Sequence, residues 1–233
     1  VIVLGIETAT QQVGCSIGGV EGSLASFHAA HGRRHAETLV PAIEFVCSSI
    51  GMSLREISVI AVDVGPGLFT GLRVGIATAK SMAQALRVPM IGLSSLDLLA
   101  HKVRFTHKLI VPVIDAKRGE VFSAYYRHVP GGIQRVTDFN VGSARDLGDD
   151  LLARGEDALV IGDGARRYAS DLGGDRGVIE FGGGGVAYPS AVDLVELAHP
   201  RALLEEFVQP RELEPLYLRK SDAEINWSSR AAG

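Results

Sequence analysis

The stretch Asp63-Val-Gly-Pro-Gly-Leu-Phe-Thr-Gly-Leu-Arg-Val-Gly-Ile-Ala-Thr-Ala-Lys80 decides the fold. An apolar strand ends in a Gly-Pro-Gly turn and a helix opens behind it, near Thr70. Such a turn lets backbone N–H groups approach an anion at a helix N-terminus. Two phosphate motifs nevertheless fail on identity. Gly-x-Gly-x-x-Gly needs glycine where Thr70 stands, and a P-loop needs Lys-Ser/Thr where Leu72 and Arg73 follow Gly71. The turn reads as a tight connection with Thr70 as helix cap.

Helical projection over 70–86 places Leu72, Ile76, Ala79, Ala83 and Leu86 on one apolar stripe. Gly71, Val74, Gly75, Thr78, Met82 and Ala85 form a second stripe of mostly small residues, leaving Arg73, Lys80 and Gln84 to solvent, with Ser81 at the margin. A surface helix needs an apolar face of about 100°, and this one has roughly twice that. Two explanations stay open: both stripes are buried within the chain, or one is a protein–protein surface. The preceding helix, over 35–50, puts Ala36, Leu39, Val40, Ile43, Val46, Cys47 and Ile50 on its core side. Thr38, Pro41, Ala42 and Phe45 lie opposite, where Phe45 beside a small-residue helix completes an apolar patch.

The chain has 233 residues, 46% hydrophobic and 21% charged, with a formal charge of −4. That suits one large or two small globular domains and gives no global basic field for nucleic acid. The basic pairs Arg33-Arg34, Lys117-Arg118, Arg166-Arg167 and Arg219-Lys220 read as solvated surface. Cys15 and Cys47 stand in apolar contexts and read as buried thiols of a reducing compartment. No apolar run is long enough for a membrane span. No leader is visible, and the expected location is cytoplasmic.

Strands are expected over 1–8, 13–17, 23–30, 57–64 and 89–93, with a helix over 95–103 that Ser94 or Ser95 caps. The order then begins again: strands over 109–115, 121–127 and 133–141, a helix over 144–152, a strand over 158–161 and a further helix. A glycine run, 182–185, makes a loop or hinge. A helix over 191–208, interrupted at Pro200, leads to an extended tail with Tyr217, Leu218 and Trp227. Two β-β-β-α-β-α units predict a duplicated α/β chain, with a first lobe over 1–105 and a second over 106–233 whose last segment returns to the first. This is similar to the two-lobed actin-like/Hsp70-like (ASKHA, ribonuclease H-like) architecture, each lobe a mixed sheet flanked by helices. In that architecture the hairpins over 7–13 and 115–121 face nucleotide phosphates, which nominates Glu7, Thr8, Asp115 and Gly162 as vestigial nucleotide-facing positions. Taken without the analogy, Glu7 and Asp115 read as exposed turn acids. His28, His31 and His35 straddle a glycine in a loop and lack metal-ligand spacing. Ser94-Ser95 with Asp97 and His101 has no nucleophile elbow. Neither catalytic nor metal residues are assigned.

Gly5-Ile-Glu-Thr-Ala9, Arg34-His-Ala-Glu-Thr-Leu-Val-Pro41, Gly65-Pro-Gly-Leu-Phe-Thr-Gly-Leu-Arg-Val-Gly75, Ala79-Lys80 and Asp115-Ala-Lys-Arg-Gly-Glu-Val121 occur in this order. Together they closely resemble the bacterial TsaB (YeaZ) family over essentially the whole chain. Its sister TsaD transfers a threonylcarbamoyl group to tRNA adenosine 37. Where TsaD carries Asn-His-x-x-Gly-His, this chain has Ser94-Ser-Leu-Asp-Leu-Leu99, with Ser95 and Leu99 in place of two imidazoles. Neither replacement is a ligand for such a metal.

The resemblance implies a non-catalytic accessory subunit. It would bind TsaD, and in complex the ATPase TsaE, through Thr38, Pro41, Ala42, Phe45, Gly71, Val74, Gly75, Thr78 and Met82. The same helices would support self-association, and tRNA would be met through the complex. No cofactor is expected on the isolated chain, with ATP or ADP only in the complex. An actin-like ATPase, a peptidase-like enzyme and a lone tRNA-binding module are the competing expectations.

Overall fold

The computed structural model describes residues 1–30, 34–174 and 177–219. Arg33, His31, Lys220 and Trp227 lie outside the described residues.

The first lobe runs β1 (Val3–Glu7), β2 (Val13–Gly19), β3 (Gly22–Ala29), α1 (His35–Ser49), β4 (Val59–Asp63), α2 (Phe69–Leu86), β5 (Met90–Leu93) and α3 (Ser95–Lys102). The second runs β6 (Leu109–Lys117), β7 (Glu120–Ser123), β8 (Tyr126–Val129), β9 (Gly132–Arg135), β10 (Asn140–Ser143), α4 (Ala144–Arg154), β11 (Ala158–Ile161), α5 (Asp163–Arg167), β12 (Ile179–Phe181) and α6 (Ala191–Leu203). The sheet orders are β3-β2-β1-β4-β5 and β10-β7-β6-β11-β12. The second repeats the first once the β8–β9 hairpin is set aside. In each, antiparallel strands flank one side of the opening strand and parallel strands the other. The chain therefore has the expected two-sheet α/β architecture.

The central strands are buried on both faces, which explains their continuous apolar runs. Leu4, Ile6, Ile60 and Val62 pack on Leu39, Ile43 and Val46 of α1 and on Ile76, Ala79 and Ala83 of α2. The alternating Val3, Val59 and Ala61 pack on Leu194, Val195 and Ala198 of α6. Helix α6 follows the second sheet in sequence yet covers the first. Conversely, Leu96, Leu99 and Ala100 of α3 join the core of Ile110, Ile114 and Phe122. Each lobe's last helix thus cements the other lobe.

Several expectations are corrected. The two strands over 121–127 and 133–141 are four short ones, because the chain leaves the β6–β7 ladder after Ser123 and makes the β8–β9 hairpin before β10. A short strand, β12, precedes the glycine run. Helix α6 is not interrupted at Pro200 but runs through it to Leu203. Proline removes one hydrogen bond near the helix end, and Ala198 and Ala202 stay buried on either side of it. Val208 lies beyond the helix and bridges to Met90. Helix α2 starts at Phe69, its N-cap is Leu68 without a side-chain bond, and Thr70 is exposed. Ser94 does cap α3, accepting from Asp97 N. Cys15 and Cys47 are buried and free, and burial pushes the Cys15 thiol up to about 12.

Candidate functional site

Helices α1 and α2 lie side by side on one face of the first sheet. Phe45 is 61% and Val40 48% exposed. Pro41 is exposed too, and Thr38 is half-buried, its hydroxyl donating to Arg34 O at 2.8 Å. On α2, Val74, Thr78 and Met82 are half-buried. Pro41 and Phe45, one turn apart on α1, and Val74, Thr78 and Met82, along one flank of α2, give the helix pair a partly exposed ridge, while Val40 stands on the other flank of α1, about 140° around from Phe45.

Three nominated interface positions do not join it. Ala42 is buried at 4%, since it sits about 60° around the helix from Leu39 and falls within the core arc. Gly71 and Gly75 are buried against their own chain. A Cβ on Gly71 would overlap Thr8 O, and one on Gly75 would overlap Thr8 Oγ1. The small-residue stripe thus seats α2 on the turn after β1, where Thr8 Oγ1 donates to Gly71 O at 2.8 Å. The core arc of α1 is also shifted toward Ala42 from the one its periodicity predicts: Ala36 and Val40 are exposed, and His35 is buried with Nε2 2.9 Å from Thr10 O. His28 lies in β3 rather than in a loop.

The second region is the cleft at the C-terminal ends of the parallel strands, the usual ligand crevice of such sheets. Register pairs Ile6 with Val62, so Glu7 and Asp63 follow side by side, both at most 1% exposed. Glu7 is not an exposed turn acid. Ala9 N donates to Glu7 Oε1 at 2.8 Å. Gly65 N and Ser95 Oγ donate to Asp63 Oδ1 at 2.8 and 2.6 Å. Glu7 Oε2 and Asp63 Oδ2 are buried without a hydrogen-bond partner among the described residues. Burial, reinforced by the neighbouring Asp63 charge, pushes the Glu7 carboxyl well up. Burial raises Asp63 to about 7 against the pull of the Ser95 and Gly65 bonds. The pair favours the protonated form, the response of carboxyls removed from water.

Asp115 stands in the equivalent strand of the other lobe and is also buried, at 3%. Burial works to raise its pKa, but Lys117 Nζ at 2.6 Å and Tyr168 OH at 3.0 Å hold it below its ordinary value. Its backbone N donates to Asp163 Oδ1 at 3.1 Å. Gly162, with φ of 108°, passes so close to Val113 that a side chain would overlap Val113 O. Between the lobes runs the tail. Leu216 N donates to Val64 O at 2.7 Å, the Tyr217 ring lies 5.3 Å from that of Phe69, and Arg219 Nη1 donates to Glu120 at 2.7 Å. The space left beside Asp115 and Lys117 is about 120 Å³, against roughly 300–1,000 Å³ for small-molecule sites.

Neither Asp63 nor Ser95 belongs to the site that the sequence predicts. The available signal was a carboxylate ending a fully apolar strand beside the strand of Glu7. The two positions set against the imidazoles are both buried: Ser95 is bonded to Asp63, and Leu99 packs in the apolar interlobe core. Among the described residues, His101, Asp193 and Glu196 form a group with ligand chemistry. It bridges α3 and α6 through polar contacts, with His101 Nδ1 3.1 Å from Asp193 Oδ1 and Arg104 3.4 Å from Glu196.

The family model for TsaD, tRNA N6-adenosine threonylcarbamoyltransferase, matches residues 3–147. The tRNA threonylcarbamoyladenosine biosynthesis protein TsaB of Bacillus subtilis is 29% identical over 97% of each chain. A Pseudomonas aeruginosa structure, described as an uncharacterized protein with similarity to peptidase YeaZ, superposes with a TM-score of 0.82. It is 26% identical and covers 94% of this chain and 99% of its own. The chain belongs to the TsaB (YeaZ) family. At the level of fold alone, component A of (R)-2-hydroxyglutaryl-CoA dehydratase from Acidaminococcus fermentans also superposes (TM-score 0.50, 12% identity), covering 87% of this chain and 99% of its own. The TsaB-like motifs converge on the two regions above: residues 65–75 and 34–41 build the α1–α2 face, and residues 5–9 and 115–121 line the cleft. Among the described residues, no helix is long and apolar enough to cross a membrane.

Proposed function

We propose that this chain is a non-catalytic subunit in the threonylcarbamoylation of tRNA adenosine 37, binding a TsaD protein through α1 and α2. The observation that carries this reading is the exposed apolar ridge headed by Phe45 on a chain whose family model is that of TsaD. An exposed Phe one turn from the exposed Pro41, with Val74 and Met82 half-buried on the neighbouring helix, is the kind of anchor that association buries. The equivalent helices of the second lobe, α4 and α5, have 11 and 5 residues against 15 and 18 in α1 and α2. The first lobe's pair is thus enlarged where the fold itself does not require it. TsaE joins the assembled pair, tRNA meets the assembly, and the same ridge supports a homodimer when TsaD is absent. The work is cytoplasmic, and any nucleotide is bound by the assembly.

The test is capture of purified TsaD by Phe45→Arg and Thr78→Arg variants whose melting temperatures match the parent. Loss of capture, with loss of modification in the reconstituted reaction, is expected. Undiminished capture by both overturns the assignment.

A further inference from the structure

At the far end of α2 a groove of about 800 Å³ opens between the helix and the segment after α6. Its polar lining is Lys80, Ser81, Gln84, Arg87, Gln209 and Arg211, with no carboxylate. Three of the chain's 23 lysines and arginines line it. Among the described residues Lys80 and Arg87 make no ion pair, and Arg211 meets only its neighbour Glu212, at 3.4 Å. Arg87 also holds φ 58° and ψ 42° at the position after the helix, where glycine is the usual residue. A left-handed conformation is unfavourable for a non-glycine residue, yet an arginine stands there, at the groove's edge.

We infer that this groove binds the phosphodiester backbone of RNA. The inference rests on the tRNA-modification reading above. Lys80 and Arg87, without an ion pair among the described residues, and the neutral donors Ser81, Gln84 and Gln209 suit phosphate oxygens. The groove has no aromatic side chain among its lining residues, so it offers no platform for stacking a base and does not read as a nucleotide pocket. Around α2, the Lys80–Gln84–Arg87 flank lies about 150° from the Val74–Thr78–Met82 flank. A partner on the ridge and RNA in the groove therefore occupy different sides of the helix.

Arg87→Gly separates charge from folding, because glycine relieves the left-handed backbone. The full-length parent, Arg87→Gly and Lys80→Gln/Arg87→Gly are titrated with unmodified tRNA from 50 to 200 mM NaCl, alone and with TsaD. Melting temperatures are expected to be unchanged or higher, tRNA affinity at 50 mM salt at least about threefold lower per lost cation, and the salt slope shallower by about 1 for each. Equal slopes for parent and variants overturn the inference. So does inorganic phosphate that stabilises the parent, spares Arg87→Gly and displaces tRNA at millimolar concentration, since that marks a free-anion site. Loss of TsaD capture by Arg87→Gly with the tRNA slope intact also overturns it and marks a protein contact. A charge-dependent tRNA slope in a chain that never captures TsaD supports the groove while overturning the partner reading.

Discussion

The hydroxyl of Thr8 occupies the place that a side chain on Gly75 would fill. It is held there by its bond to Gly71 O, one turn earlier on α2. The two glycines exist to let the turn after β1 reach the helix backbone. Gly75→Ala is therefore expected to destabilise the chain by about 1–3 kcal/mol through overpacking, read as a lower denaturation midpoint. Thr8→Ala removes both the obstacle and a buried hydrogen bond. In the double variant the two losses should fall short of their sum, and the coupling measures the contact.

The glycine stripe also shows where sequence reasoning stops. A run such as Gly71, Gly75 and Thr78 announces that a backbone or side chain comes close, but the helix looks the same whether that neighbour belongs to its own chain or to another. The duplicated sheets were legible because buried parallel strands need unbroken apolar runs and their helices need period. Phe45 was legible for the same reason, as the apolar residue left over on the outward arc. Asp63 and Ser95 were not, because a carboxylate at a strand end reads as a turn residue until the neighbouring strand brings Glu7 beside it. The path of α6 onto the first sheet depends on contacts between segments more than 100 residues apart that no local pattern encodes.

The buried acid pair predicts an unusual pH dependence. Asp63 titrates near 7 in the folded chain and near 3.9 when unfolded. Between these values the unfolded chain releases the proton while the folded chain keeps it, so this contribution is full below about pH 4 and is lost as pH rises to 7. The raised Glu7 acts in the same direction, as does Asp163, raised by its burial. Asp115, held low, contributes in the opposite sense and only at more acid pH. Asp63→Asn keeps an acceptor for Ser95 and Gly65 and removes the charge. Urea denaturation from pH 4.5 to 8 should show a flatter profile for the variant, with its largest gain over the parent at pH 8. A parent whose stability rises with pH across this window, by an amount Asp63→Asn leaves unchanged, contradicts the raised value.

The bridge between α3 and α6 yields the last prediction. His101 and Asp193 are 7% and 8% exposed, and their side chains meet at 3.1 Å. Because α3 packs into the second lobe's core and α6 into the first, this pair ties the lobes through polar groups, as does Tyr126 OH, which donates to Asp97 Oδ1 at 2.6 Å. Asp193→Ala leaves the buried imidazole without that carboxylate, and an unsatisfied buried partner costs about 1–3 kcal/mol. Asp193→Asn keeps an acceptor for a donating His101 nitrogen and should lose less. Hydrogen exchange in Asp193→Ala should quicken in α3 and α6 together, while the strands of each sheet keep their protection. Quickening confined to α6 would show that the pair caps one helix and does not couple the lobes.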